Sequence, residues 1–145
     1  MLNNMEKAIG LDLGKKTLGI AASDALGFAH PLETFRFPAF QFELAVNRVN
    51  EVSKEKGITN IALGYPLHLN GKLSEMSENV LNFKKMLEES NPNFKIELID
   101  ERLTSVQANN TLSFLDVSHQ KRKDNVDALA AQEILESYIR SKQYK

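Results

Sequence analysis

The stretch KAIGLDLGKKTLGIAAS, residues 7–23, decides the fold. Over 7–14, Ile9, Leu11 and Leu13 alternate with Ala8, Gly10, Asp12 and Gly14, the period-two pattern of a strand with one apolar face. TLGIAAS, 17–23, reads as a second strand, and only Lys15-Lys16 separates the two. Strands joined that tightly are antiparallel. An all-parallel, doubly wound sheet does not begin with such a hairpin, so a mixed sheet is expected.

Outward from the hairpin, 31–37 reads as a third strand, and the period then turns helical. Phe42, Ala45, Val49 and Val52 recur at helical spacing across 41–56, and Gly57 is a natural stop. TNIALGY, 59–65, is a short apolar strand of the kind buried on both faces, ended by Pro66. A turn over 68–72 has Asn70-Gly71 at its tip. Ser74 then opens a second helix, with Ser77 and Glu78 as further capping groups and Met76, Val80, Phe83 and Leu87 as its stripe. Residues 94–99 form another strand, 103–114 a helix, 116–123 a polar, basic connection and 125–139 the last helix. Strands that alternate with helices after an antiparallel start make a mixed α/β sheet.

At 145 residues the chain matches one domain of the usual ~150. Hydrophobic residues are 42% and charged residues 26%, enough for an ordinary core. With no cysteine, disulfides, thiol catalysis and cysteine-ligated zinc are excluded. A formal net charge of −1 excludes a globally basic nucleic-acid binder but leaves room for a local basic patch. No apolar run approaches the ~18 residues of a membrane span. The opening MLNNMEK lacks the apolar centre of a signal peptide, so a cytoplasmic protein is expected.

Several carboxylates sit where folding alone would not put them. Asp12 lies inside the first strand between Gly10 and Gly14, and glycine in a strand marks close approach to the backbone. A strand-end Asp bonded to a loop is the plainer account of the same residue. Asp100 and Glu101 close the last strand. Alternation puts Asp100 with Ile96 and Leu98, and Glu101 with Glu97 and Ile99. Either acid can also simply cap the helix that follows. Asp127 precedes Ala131, Ile134, Leu135 and Tyr138 at helical spacing, which puts it on the buried face of the last helix. A buried carboxylate needs a cation, whether Arg102 or a metal. Asp124, one turn earlier, extends the acidic edge or caps the helix. If the first strand is central and the last helix packs on it, Asp12, Glu101 and Asp127 can converge. Carboxylates without cysteine or clustered histidine suit a hard cation, Mg²⁺ or Mn²⁺. Such a site can hold two ions ~3.5–4 Å apart and hydrolyse a phosphodiester. Basic residues stand beside the acids in sequence. Lys15 and Lys16 follow Asp12, Arg102 follows Glu101, and Lys121, Arg122 and Lys123 precede Asp127. A polyanion held at one rim fits this pattern.

GLDLGKKTLGIAASD (10–24), ALGYPLHLNG (62–71), DERLTS (100–105) and KRKDNVDALAAQEIL (121–135) resemble, in order, the motifs of the YqgF/RuvX family. The resemblance spans nearly the whole chain. It implies a ribonuclease H-like fold: a mixed five-stranded sheet with a central first strand, its first three strands antiparallel, flanked by helices. It also implies a nuclease, with family members assigned to 5′-end maturation of pre-16S rRNA and to resolution of Holliday junctions. By the resemblance Asp12, Glu101 and Asp127 are the catalytic, metal-binding acids, and Asp100 shares or exchanges roles with Glu101. Lys16, Arg102 and Thr104 then face the substrate. Independently of the resemblance, the basic, polar composition of Lys121-Arg122-Lys123 between two helices makes it a candidate substrate flap. Thr17 and His68 depart from the family pattern, which commonly has Arg and Asn there, and neither is a metal ligand.

Two other readings compete. A nucleotide-handling protein of the actin and sugar-kinase type shares the Asp12-Leu13-Gly14 turn, but it needs two such cores, and the chain has length for one. No G-x-x-x-x-G-K-[ST] phosphate loop occurs either. A non-catalytic nucleic-acid-binding module would not gather acids beside its cations. A resolvase cuts two symmetric strands and is expected to dimerise, whereas an RNA processor can act as a monomer.

Overall fold

β1 (Ala8–Leu13) and β2 (Thr17–Ser23) form the expected hairpin, closed by Gly14 N–H donating to the Thr17 carbonyl at 2.8 Å. The computed structural model describes residues 6–67, 74–101 and 119–143, by backbone alone over 119–125. β3 (Ala29–Arg36) pairs antiparallel with β2 and starts earlier than the pattern at 31–37 indicates. After α1 (Phe42–Lys56), β4 (Asn60–Tyr65) pairs parallel with β1. After α2 (Ser77–Ser90), β5 (Lys95–Asp100) pairs parallel with β4. The sheet has five strands in the order β3-β2-β1-β4-β5, so β1 is central. The last described element is α3 (His119–Gln143).

The two faces of the sheet differ in kind. Ile9, Leu11, Leu13, Leu18, Ile20, Ile61 and Leu63 point to one side, against Phe42, Val49 and Val52 of α1 and Val80, Phe83 and Leu87 of α2. Each such side chain, fully buried, contributes roughly 1.5–3 kcal/mol. Gly57 ends α1 in the left-handed region at φ 67°, its N–H on the Ser53 carbonyl. The other face is built of small residues, Ala8, Ala21 and Ala62 with Ile99, and α3 lies on it through Ala131, Ile134, Leu135 and Ile139. Gln132 Nε2 donates to the Ala29 carbonyl at 3.1 Å, and Lys142 Nζ donates to Glu97 Oε1 at 2.8 Å, which ties α3 to both outer strands.

Glycine lets α3 lie this close. A β-carbon on Gly10 would stand 2.6 Å from the Ala131 carbonyl oxygen and 2.7 Å from Leu135 Cβ. One on Gly19 would fall inside the Asp127 carbonyl.

The sequence pattern needs correction at two places. The last helix begins at His119, not 125, so Lys121, Arg122 and Lys123 belong to its first turns and not to a loop or flap. Gln, Lys and Arg are good helix formers, and no Gly or Pro interrupts 119–143, so Asp124, a candidate cap by sequence, is helix interior. α2 starts at Ser77 rather than Ser74. Ser74 and Ser77 instead fasten its start to the end of β4: both hydroxyls donate to the Pro66 carbonyl, at 3.0 and 2.6 Å, and Ser74 N–H donates to Ser77 Oγ at 2.8 Å. The helix expected over 103–114 lies outside the described residues. Among the described residues no helix is long and apolar enough to cross a membrane.

Gly19→Ala drives a methyl group into helix backbone, which has no rotamer with which to yield. It is expected to lower stability by about 3 kcal/mol or more in urea unfolding. Gly57→Ala meets open space and carries only left-handed strain, about 1 kcal/mol. Equal effects of the two substitutions would show that α3 is not seated as described.

Candidate active site

β1, β4 and β5 run parallel, so their C-terminal ends share one edge of the sheet. Ligand sites in open α/β sheets lie at that edge. Asp12 stands near the end of β1 on the face toward α3, since Leu11 and Leu13 occupy the other face. Its neighbours across the sheet are glycines on both sides. On β2 its register partner is Gly19, and over Gly19 lies the backbone of Asp127. On β4, Leu63 pairs with Leu11, which brings Gly64 alongside Asp12. A β-carbon on Gly64 would stand 2.9 Å from both Cδ and Oε1 of Glu101. The Glu101 carboxyl therefore reaches from beyond β5, across β4, to the Asp12 side chain, with which it forms a hydrogen bond.

The same alternation separates Glu101 from Asp100. Ile99 packs toward α3, and Glu97 meets Lys142 of α3, so Glu101 continues that series. Asp100 follows Leu98 and Ile96, which pack on the α1–α2 face. The strand thus turns Asp100 away from Asp12, and Glu101 is the better candidate ligand.

Two carboxyl groups in hydrogen-bond contact need a proton between them. Burial pushes the Asp12 carboxyl well above its usual 3.8; the hydrogen bond and charge of Glu101 push the same way, and the Asp127 charge adds to them. Asp12 keeps some exposure to solvent, and the crowding of protein atoms around it outweighs that opening. The structure therefore brings Asp12 and Glu101 into contact and sets Asp127 close enough to act on Asp12 through its charge. Among the described residues no three acids stand close enough together to enclose a single ion.

The donor set suits a hard dication: all oxygen, no sulfur, and a carboxyl pair whose repulsion a 2+ charge would relieve. Of the candidate substrate residues, Lys16 is exposed in the β1–β2 turn just past Asp12. Lys121, Arg122 and Lys123 occupy the first turns of α3, one to two turns before Asp127. Arg102, Thr104 and His68 lie outside the described residues. The roles of Gly19 and Gly64 escape sequence reasoning. Their one signal is glycine inside otherwise apolar strands, and that does not say what comes close.

A central strand carrying a half-buried acid, antiparallel first strands, and a helix laid across the small-residue face define a ribonuclease H-like core. Solved structures agree. Thermus thermophilus RuvC in complex with a Holliday junction superposes with a TM-score of 0.62 over 97% of this chain and 98% of that one, at 16% identity. The yeast mitochondrial Holliday junction resolvase Ydc2 gives 0.50 over 100% and 87%, at 11% identity. At such identities the likeness establishes the fold alone.

Sequence relatives narrow the class. The family model described as "RuvX: Holliday junction resolvase" matches residues 6–141, and the chain belongs to that family of phosphodiester-cleaving hydrolases. A Bacillus subtilis protein is 40% identical over 136 residues, covering 93% of this chain and 98% of its own. A Staphylococcus saprophyticus protein is 38% identical over 138 residues, covering 94% and 97%. Both carry the name "Putative pre-16S rRNA nuclease".

The raised Asp12 carboxyl has a thermodynamic consequence for the metal-free protein. The unfolded chain releases this proton near pH 3.8 and the folded chain only at higher pH, so between the two values the unfolded state binds fewer protons. The stability associated with Asp12 is therefore full below pH 3.8 and is lost as pH rises through the raised value. Asp12→Asn, which cannot ionise, is expected to raise the melting temperature at pH 7.5 in EDTA and to change it little near pH 4. Equal melting temperatures at pH 7.5 would contradict the strained pair.

Proposed function

We propose that this protein is a divalent-metal-dependent nuclease that hydrolyses phosphodiester bonds in nucleic acid, with the 5′ end of precursor 16S rRNA as its substrate. The observation that carries the reading is the Asp12–Glu101 carboxyl pair beside Asp127, at the C-terminal edge of the parallel strands. The names of the relatives support the substrate, and their cellular work supports a cytoplasmic location. The family description favours a second reading, cleavage of branched DNA by a homodimer; a light-scattering mass and substrate choice separate the two.

In this reading Asp12 and Glu101 would hold Mg²⁺ or Mn²⁺, with Asp127 adding its charge from the adjoining helix. When bound, the cation supplies charge to the phosphate oxygens and lowers the pKa of attacking water. Glu101, whose carboxyl lies over Gly64, stands beside Asp12 as its partner. Lys16, with Lys121, Arg122 and Lys123, draws the phosphate backbone to the rim, and Arg102 and Thr104 complete the motif begun by Glu101. A pure binding module is a poorer account, because the carboxyl pair repels RNA without any return in affinity.

The test sets purified protein and Asp12→Asn against a precursor rRNA fragment and a four-way junction, each with Mg²⁺ or Mn²⁺. Cleavage by the wild type and a loss of at least about a hundredfold in the variant are expected, a loss at or beyond that of an outer metal-site partner. Full activity in folded Asp12→Asn removes the mechanism. Mn²⁺ is also expected to raise the melting temperature of the wild type more than that of Asp12→Asn.

Alanine at Lys121, Arg122 and Lys123 together is expected to weaken substrate binding more than turnover. It should also reduce the slope of log K against log salt by up to about 2–3, at roughly 0.7–0.9 per lost phosphate contact. An unchanged slope would detach this basic run from the substrate.

A further inference from the structure

Among the described residues Phe40 is the non-glycine residue with positive φ, at 62°. A bulky aromatic side chain is a poor occupant of the left-handed region, and such strain persists only where its surroundings enforce it. Here they do. Phe40 N–H donates to the Lys15 carbonyl at 2.9 Å, and Phe37 N–H donates to the Lys16 carbonyl at 2.9 Å. The Phe40 ring meets Phe42 nearly at right angles with centroids 6.0 Å apart. Phe42 in turn packs on Phe37 and Phe83. Phe40 is nonetheless 52% exposed, so a strained backbone presents an anchored ring to solvent.

Exposure alone carries nothing, since single apolar side chains are common on surfaces. Leu26 and Phe28 are more exposed, but they lie in the β2–β3 turn, at the other end of β2 from the Lys15-Lys16 turn. Phe40 is bonded directly to the turn that carries Lys15 and Lys16. Both lysines are exposed. The Lys15 contact with Glu75 is 3.9 Å long between two exposed side chains, so it holds the ammonium weakly. Lys15 follows Asp12 by three residues, within ~11 Å along an extended chain.

We propose that Phe40 is a stacking platform for an unpaired nucleobase, with Lys15 and Lys16 neutralising the adjoining phosphates. This rests on the nuclease reading and adds to it that the strand entering the site has at least one base out of its helix. Aromatic rings beside cationic side chains are the usual means of holding single strands, because every base has a π face.

The test uses the full chain in the Asp12→Asn background with a single-stranded RNA carrying one 2-aminopurine. Binding is expected to change the probe's fluorescence through stacking. Phe40→Leu should abolish that change and weaken binding about 5- to 100-fold, while Phe40→Trp retains both. With Asp12 intact, Phe40→Leu should raise KM and leave kcat nearly unchanged. Phe40→Gly is free of left-handed strain, so it should melt no lower than wild type yet bind as poorly as Phe40→Leu, and it carries the test if the leucine variant does not fold. Wild-type binding and stacking signal in Phe40→Leu, with cleavage intact, would overturn the platform and leave the nuclease reading standing. A wild type that neither binds nor cleaves would overturn both. Conversion of a dimer to a monomer by Phe40→Leu would assign the ring to a subunit contact and overturn the platform.

Discussion

Asp12 is flanked across the sheet by two residues without side chains, and the arrangement of acids depends on that vacancy. Over Gly19 passes the backbone of α3 at Asp127; over Gly64 reaches the carboxyl of Glu101. A methyl group at either position would occupy the space through which an acid approaches Asp12. The same close approach seats Ala131 and Leu135 on Gly10 and extends the contact along the helix. One packing decision, a helix laid on a face of glycine and alanine, thus sets both the second core and the position of the acidic site.

Gathering like charges is unfavourable, and the rest of the molecule bears it. The opposite face of the sheet is a continuous apolar layer running from Leu13 and Leu18 through Phe42 and Phe83 to Phe94. That layer owes nothing to the acids. Burial and the neighbouring acids raise the Asp12 pKa, so Asp12 keeps its proton to higher pH and part of the repulsion is relieved. The position of the acids is consequently set by packing in which they take no part.

A net charge of −1 does not argue against a polyanionic substrate when charge is sorted by position. Acids are drawn into the sheet edge, while Lys15 and Lys16 stand outside on the turn and the basic run opens α3. In the proposed function the anionic backbone meets cations at the rim before it meets carboxylates within. Local ordering of this kind gives affinity without making the whole chain sticky toward nucleic acid.

The order of strands and helices was readable from the chain because the 2.0 and 3.6 periods are local properties, set by which neighbouring residues share a face. The hairpin over 7–23, the stripes of α1 and α2 and the apolar β4 all follow from such spacing. Asp12 and Asp127 stand out by the same means, as acids where apolar residues are due, whereas Glu101 is set apart from Asp100 only by the family resemblance. The start of α3 is not legible because Asp124 looks like a cap and the residues before it are polar, and only the continuous helix reveals it as interior. The choice of Glu101 over Asp100 needed to know that Ile99 faces α3, and the purpose of Gly19 and Gly64 needed to know what lies above them. Those are contacts between segments far apart in the chain, from Gly64 and Glu101 to Gly19 and Asp127. Periodicity reports which face a side chain takes; only tertiary packing decides what that face meets.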